Sequence, residues 1–581
     1  MRLPPIILAT AIALAVAGPA ARAQSSPTQA ASASDTLAGA LRETAADRWY
    51  KNSFIYNLDV HTFQDSDGDG IGDFRGLIAR LPYLKGLGVD CIWLAPFQPS
   101  PRRDDGYDVT DYYGVDTACG TRGDLAQFIY RAHSLGIRVI MDMVLDHSSD
   151  QHPWFLRASA DTSSPWHRYY FWSSARPADQ YQGVAFPGPQ KEVWTWQSHA
   201  HQYYYHRFYD FQPHLNLLNP DVFAESQHIL GYWLSQGFDG FRLDAVPFMV
   251  EIPRTDSDRS PQALPLLTAL RQFVQYRRGD ALLVGEANVP PEQISDYFGK
   301  TGDRIQMLFN FYGNQYLFYA LASHDVTLFR RALITLRNIL PVSQWCWFLR
   351  NHDEIDLGRL TTAQREFVYR QFGPDKNMQL YDRGIRRRLA PMLHDDRELT
   401  MAYSLLFSLP GAVEIHYGEE LGMGDDLSLE ERLSVRTPMP WTHERNAGFT
   451  NSPHPTRPLA GGEYGYEHRN VADEDRDSSS LLGNVRRFAR LRKECPEIGL
   501  GTWAIADSSR PQLLVLRFDY QGQTLITVHN FSPGVQQLSL DPAGHAAALT
   551  DLISGTILHP AGRVFLLSVP PYGYAWYRLT P

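Results

Sequence analysis

The chain has 581 residues, a formal charge of -10 at pH 7, 12% aromatic side chains and 13 tryptophans. That length is too great for one hydrophobic core and predicts two or three domains, one of them large. The acidic balance, with basic residues scattered apart from the run Arg386-Arg387-Arg388, argues against a nucleic-acid partner.

The N-terminus reads as a targeting segment, with Arg2 as the positive n-region, an apolar stretch from Ile6 to Ala17, and the small-x-small site Ala21-Arg22-Ala23. This predicts a signal peptide over 1–23, a mature start near Gln24, and export to the periplasm or beyond. The apolar stretch is too short to span a bilayer, so no permanent membrane anchor is expected. Residues 24–46, rich in Ser, Ala and Thr, predict a flexible leader. The four cysteines, Cys91, Cys119, Cys346 and Cys495, match neither a zinc site nor a disulfide framework. Cys91 and Cys346 sit in apolar runs and read as buried small hydrophobes, and no catalytic thiol is predicted.

From residue 47 to about 500, apolar strand-like runs alternate with amphipathic helices. The runs fall at 54–63, 89–96, 138–146, 240–246, 281–287, 306–312, 345–351 and 412–417. Eight such runs predict an α/β fold, a (β/α)8 TIM barrel whose strand carboxyl ends form the active face. An insertion over about 148–218, after the third strand and rich in Trp and Tyr, reads as a subdomain walling that face. Short alternating runs over 501–581 (513–518, 524–531, 537–540 and 564–579) predict a C-terminal antiparallel β-sandwich.

The chemistry is concentrated at the strand ends. In Gly240-Phe241-Arg242-Leu243-Asp244-Ala245, alternation puts Phe241, Leu243 and Ala245 in one layer. Arg242 and Asp244 face the other, where the guanidinium can hold the carboxylate ionised and correctly turned. Asp142 and His147 close the third strand, Glu286 the fifth, and His352 and Asp353 the seventh. Glycosidic bond cleavage needs one carboxylate to attack, one carboxylic acid to protonate the leaving oxygen, and negative charge to stabilise an oxocarbenium-like state. Asp244, Glu286 and Asp353 supply these on one rim, beside the loop Asp104-Asp105-Gly106-Tyr107-Asp108.

The loop Asp65-Ser66-Asp67-Gly68-Asp69-Gly70-Ile71-Gly72-Asp73 spaces carboxylates at alternate positions around glycines. That arrangement suits an oxygen-seeking cation bound by Asp65, Asp67, Asp69, Ile71 and Asp73. It lacks the glutamate of an EF-hand at position twelve, where Gly76 stands, and the other reading is a turn held by side-chain-to-backbone hydrogen bonds.

Together these segments resemble the α-amylase superfamily of retaining glycoside hydrolases and transglycosylases (glycoside hydrolase family 13), from Trp49 to the C-terminal Pro570-Pro571-Tyr572-Gly573-Tyr574-Ala575-Trp576. Gly384 to Leu393 and Leu405 to Pro410 are most similar to its trehalose synthase branch. The resemblance implies Asp244 as nucleophile, Glu286 as acid/base, Asp353 as transition-state stabiliser and Arg242 orienting Asp244. It further implies that His147 and His352 donate to sugar hydroxyls, that Asp104 and Tyr107 grip the non-reducing-end glucose, and that Arg436 closes the pocket behind it. It makes the cation of the aspartate loop a structural Ca2+, with no organic cofactor. The chain departs from the superfamily pattern at Asp146, His214, Pro440 and Glu414, the first two at a calcium site beside the insertion. The implied activity is interconversion of maltose and trehalose, or transfer among short α-glucosides, through a covalent glucosyl-enzyme. The alternatives are a hydrolytic α-glucosidase and, from a different class, a non-catalytic amylase-like binding protein. Retention of all three carboxylates favours an enzyme.

Overall fold

The structure is a computed structural model that describes residues 45–253, 262–507, 509–542 and 546–580. The signal peptide expected over 1–23 and the leader as far as residue 44 lie outside the described residues. No described helix is long and apolar enough to cross a membrane.

Eight parallel strands close into a barrel: β1 (Phe54–Leu58), β2 (Cys91–Leu94), β3 (Arg138–Met143), β4 (Gly240–Leu243), β5 (Leu282–Gly285), β6 (Met307–Phe309), β7 (Gln344–Trp347) and β8 (Ala412–His416). Each lies within a run expected from sequence except β7, which begins one residue earlier, each pairs with its neighbours in sequence, and β8 closes on β1. Inward-pointing Ile55, Trp93, Ile140, Leu282, Phe309 and Cys346 form one buried cluster that plugs the barrel. Towards the carboxyl ends of β1, β3, β4 and β8 the inward positions turn polar, at Asn57, Asp142, Arg242 and Glu414, all buried. The change from apolar to polar positions marks the floor of the active face.

Phe241 and Leu243 join the core between strands and helices, as alternation predicts. Ala245 does not. The strand ends at Leu243, and Ala245 takes the left-handed conformation (φ 43°, ψ 44°) as the chain turns into the short helix Val246–Met249. This carries its methyl group among Phe186, Phe208 and Tyr381 on the active face. A left-handed non-glycine residue is strained, and such strain persists only where the surroundings fix it.

The insertion contains a three-stranded antiparallel sheet, with Gln202–Tyr205 between Trp172–Ser173 and Trp194–Gln197. It ends at the helix Pro220–Ser235, which is capped by the Asn219 side chain and has proline in its first turn. Two members of the basic run are buried clamps. Arg388 donates to the carbonyls of Tyr417 (2.7 Å) and Val435 (2.6 Å), and Arg386 to those of Leu427 and Leu429, so both bind the loop that follows β8.

The C-terminal region is a six-stranded and a two-stranded antiparallel sheet sharing a core of residues such as Leu513, Val515, Leu538 and Phe565. The run expected over 564–579 splits at Pro570-Pro571 into Phe565–Val569 and Tyr574–Thr580. The strands Thr502–Asp507, Ala548–Asp551 and Ile557–Leu558 add to those expected. Leu514, Leu516, Phe518 and Trp576 face the barrel and join its core, and the Trp576 indole donates to Ser404 Oγ at 3.0 Å. The β domain is thereby packed onto the barrel over a continuous apolar surface.

Candidate active site

Arg242 is the centre of the site. It is buried, and one amino group donates to Asp142 Oδ1 (2.7 Å) and Asp244 Oδ1 (2.5 Å) while the other donates to Glu286 Oε2. Its planar fork holds the nucleophile and acid/base candidates side by side, in the paired role that alternation in β4 predicted. Asp142 is fixed from beneath, accepting from the Trp93 indole (3.2 Å) and the Tyr107 hydroxyl (2.9 Å). The strained Ala245 turns its N–H toward Glu286 Oε2 at 3.3 Å, so the backbone beside Asp244 helps to place Glu286.

Burial raises both carboxyls of the pair, against the pull of Arg242. Asp244 is pushed up to about 7 and Glu286 to about 8, with the neighbouring Asp244 and Asp353 adding to the rise at Glu286. The two titrate as a unit that holds a proton near neutrality, and the higher value favours Glu286 as its carrier. Asp353 behaves oppositely. Burial would raise it, but Arg432 and Arg436 outweigh burial and hold it well below the usual carboxylate range. The rim thus presents one acid, one paired carboxyl and one firmly ionised carboxylate.

Tyr107 and His352 stack in parallel, with centroids 5.9 Å apart, and the hydroxyl accepts from His352 Nε2 at 2.7 Å. Burial keeps His352 neutral. Burial would also lower His147, yet Asp146, 3.0 Å from Nδ1, raises it to about 9, so His147 is an imidazolium at neutral pH. Its Nε2 donates to the Tyr107 carbonyl at 3.1 Å, and a sugar hydroxyl would compete for that bond.

Asp104 lines the catalytic pocket and accepts from Gln212 of the insertion at 2.8 Å. Its neighbour Asp105, given no role from sequence, is gripped by Arg102, Arg436 and Arg457. Arg436 does not line the main pocket. It stands behind Asp353, donating to Asp353 Oδ1 (2.9 Å), Asp105 Oδ2 (2.9 Å) and the His352 carbonyl (2.8 Å), and so fixes the pocket's back wall. Four residues earlier, Arg432 does line the pocket, as do Arg207, Arg359 and Arg383. It pairs with Asp353 (3.3 Å) and Glu354 (3.0 Å), and its guanidinium lies 4.5 Å over the Phe186 ring.

The cavity enclosed by these groups has a volume of about 540 Å3, within the size range of sites for small ligands. Behind the lining residue Phe186, which packs on Tyr209 and Tyr381, three elements are tied together. The hydroxyls of Tyr209, from the insertion, and Tyr381, from the segment after β7, both donate to Glu431 Oε2 in the loop after β8, Tyr381 at 2.7 Å. Three separate elements therefore meet at one carboxylate oxygen beside the pocket wall. No sequence motif marked this contact.

In the aspartate loop, carboxylate oxygens of Asp65, Asp67 and Asp73 lie within 4.8 Å of one another. The Asp69 carboxylate is outside that group and accepts from the Ile71 N–H at 2.7 Å. Asp65 also accepts from Gly70 N–H (2.9 Å), and Asp73 from Gly76 N–H (2.8 Å), so the turn of side-chain-to-backbone bonds is present as well. Gly70 has φ 99°, and a Cβ there would lie 2.1 Å from the His454 carbonyl oxygen. Arg75, the nearest basic residue in sequence, pairs with Asp124 instead of the cluster. Converging hard oxygens of this kind fit Ca2+.

The sequence matches the family described as alpha amylase, catalytic domain, over residues 54–381 and 382–501. The chain belongs to the α-amylase family. Among its relatives, this α-amylase-family chain is 37% identical to a trehalose synthase of a Pimelobacter species, over 92% of this chain and 96% of that one. It is 37% identical to the trehalose synthase/amylase of Mycolicibacterium smegmatis, covering 91% of this chain and 92% of that one. In structure it resembles the α-glucosyl transfer enzyme XgtA (TM-score 0.72, 28% identity, 92% and 99% coverage). It also resembles the trehalulose synthase of Pseudomonas mesoacidophila (TM-score 0.73, 25% identity, 92% and 99% coverage).

Proposed function

We propose that this enzyme transfers α-glucosyl groups within an enclosed pocket and interconverts maltose and trehalose. The observation that carries this reading is the sharing of Arg242 by Asp244 and Glu286 beside the ionised Asp353. Its finer content is supported by relatives named trehalose synthase. In the first step Asp244 attacks the anomeric carbon while Glu286 gives its proton to the glycosidic oxygen, and Asp353 stabilises the positive charge that develops on the ring. In the second, a hydroxyl loses its proton to Glu286 and attacks the glucosyl-Asp244 bond. If that hydroxyl is the anomeric one of the released glucose, the product is the α,α-1,1 disaccharide; if it is water, the product is glucose. The decisive test is a time course with maltose, in which trehalose forms as the main product and glucose as the minor one. Glucose alone, even at high maltose, defeats the transfer reading and leaves an α-glucosidase.

We also propose a structural Ca2+ on the loop Asp65–Asp73, remote from the chemistry, held by Asp65, Asp67 and Asp73 with Asp69 and the Ile71 carbonyl as further oxygen donors. Export of the mature chain from near Gln24 is proposed on the leader's sequence and is checked by N-terminal sequencing of protein from the cell envelope and medium.

A further inference from the structure

A small enclosed cell lies against Tyr107 and His352, and Tyr107 is the only one of its lining residues that also lines the catalytic pocket. It leaves about 10 Å3 for the centre of a molecule, room for one water and nothing larger. Two buried atoms of its lining residues, His352 Nδ1 and Asp59 Oδ2, find no hydrogen-bond partner among the described residues. Asp59 Oδ2 lies 3.7 Å from Arg102 Nη2 and 3.9 Å from Arg457 Nη1, beyond hydrogen-bonding reach. Oδ1 of the same carboxylate is taken by His61, whose backbone N–H and Nδ1 each approach it to 3.1 Å.

Buried polar atoms are normally satisfied, and the surrounding bonds say what these two need. Burial keeps the His352 ring neutral, so it carries a single proton. Nε2 lies 2.7 Å from the Tyr107 hydroxyl and 3.3 Å from Asp353 Oδ2. The Tyr107 proton goes to Asp142 Oδ2 at 2.9 Å and Asp353 is an anion, so Nε2 faces two acceptors and holds the ring proton. Nδ1 is then a bare acceptor, and Asp59 Oδ2 is another. Two acceptors call for a partner with two donor protons, while Arg436 on the lining and Arg102 and Arg457 beside Asp59 oppose a cation. We propose that one water molecule resides in this cell, donating one proton to His352 Nδ1 and the other to Asp59 Oδ2, and that Asp59 is thereby a positioning residue for the catalytic rim. With Nδ1 satisfied, the ring proton stays on Nε2, where it holds the Tyr107 hydroxyl and Asp353 Oδ2, both on residues of the catalytic pocket. The catalytic part of this role rests on the reading of Asp353 as the group that stabilises the transition state.

The first test reads the resting protein. A high-resolution crystal structure should show ordered density within about 3 Å of both atoms. In nitrogen NMR spectra of protein labelled at histidine, the His352 signals, assigned by their loss in His352→Gln, should be those of a ring protonated at Nε2. No density in the cell, or a proton on Nδ1, overturns the proposal. Neither measurement needs turnover, so failure of the maltose–trehalose reading is a separate outcome. The second test follows maltose consumption, whatever the product. Asp59→Leu removes the acceptor, and Ala95→Val, at another lining position, fills the cell while leaving Asp59 in place. Each should lower kcat/KM about tenfold, the worth of one hydrogen bond at a charged group, and move the His352 signals toward the other tautomer. Asp59→Asn recovers most of the activity, because its amide donates to the water oxygen and leaves a water proton for Nδ1. A loss as large in Asp59→Asn as in Asp59→Leu, or ring signals unmoved in Ala95→Val, shows that Asp59 acts through its charge alone and overturns the positioning role. Should Asp59→Leu not fold, Ala95→Val and Asp59→Asn decide the matter by the same readouts.

Discussion

Removing the two hydroxyls that meet at Glu431 should convert transfer into hydrolysis. The double substitution Tyr209→Phe, Tyr381→Phe keeps both rings, and with them the packing of Phe186 against Tyr209 and Tyr381 (centroids 5.0 and 4.7 Å), while deleting both bonds to Oε2. A buried hydrogen bond to a charged group is worth about 1.5–3 kcal/mol, and partial exposure of Tyr209 and Glu431 discounts each of the two to about 1 kcal/mol. A combined loss of about 2 kcal/mol raises the ratio of open to closed pocket roughly 30-fold. Water then reaches glucosyl-Asp244 before the released glucose can turn, and the glucose escapes more often. The assay is the glucose-to-trehalose ratio at early times with saturating maltose, alongside the thermal transition. The ratio should rise severalfold or more, with total maltose consumption little changed. An unaltered ratio in a variant that folds as the wild type does refutes the idea that this contact retains the glucose.

Asp244→Asn and Glu286→Gln should each lower kcat by orders of magnitude with a nearly unchanged thermal transition, and substantial turnover by Asp244→Asn would exclude a covalent intermediate. The contribution of Glu286 to stability should fall as pH rises. Folding raises Glu286 from 4.5 to about 8, so the folded state binds that proton more tightly, and the contribution present below 4.5 is lost as pH climbs through about 8. Melting curves at several pH values should show a shallower decline for Glu286→Gln, and parallel declines would count against the burial argument. Chelation should lower the melting temperature by removing an ion that binds only the folded state. Metal analysis of protein prepared without chelator should find Ca2+, and its absence would dispose of the loop site.

The barrel was legible because its strands are short apolar runs at regular spacing, and the candidate carboxylates Asp244, Glu286 and Asp353 were singled out because they sit at the ends of those runs. Alternation placed Phe241, Arg242, Leu243 and Asp244 correctly but misplaced Ala245, since strand geometry holds only while the strand continues. Asp105 and Arg436 were close at hand in the sequence, yet their mutual ion pair joins positions more than three hundred residues apart. Arg432 lies one helical turn before Arg436, but which of the two faces the sugar depends on how the loop after β8 is clamped by Arg386 and Arg388. The Tyr209–Tyr381–Glu431 contact carries no local pattern at all. It arises from packing between the insertion and distant loops, and only the assembled fold reveals it.

The convergence of Asp142, Asp244 and Glu286 on one guanidinium also sets how inhibitors will behave. With Asp244 at about 7 and Glu286 at about 8, the pair facing the substrate keeps a proton near neutrality. An amine that mimics the oxocarbenium ion must displace that proton to form its ion pair. Its affinity therefore climbs with pH until the amine loses its own charge, and its binding enthalpy varies with the ionisation heat of the buffer. An uncharged lactam of the same shape exchanges no proton and lacks that dependence. Two compounds of equal size are thus separated by pH alone, and the alkaline side favours the amine.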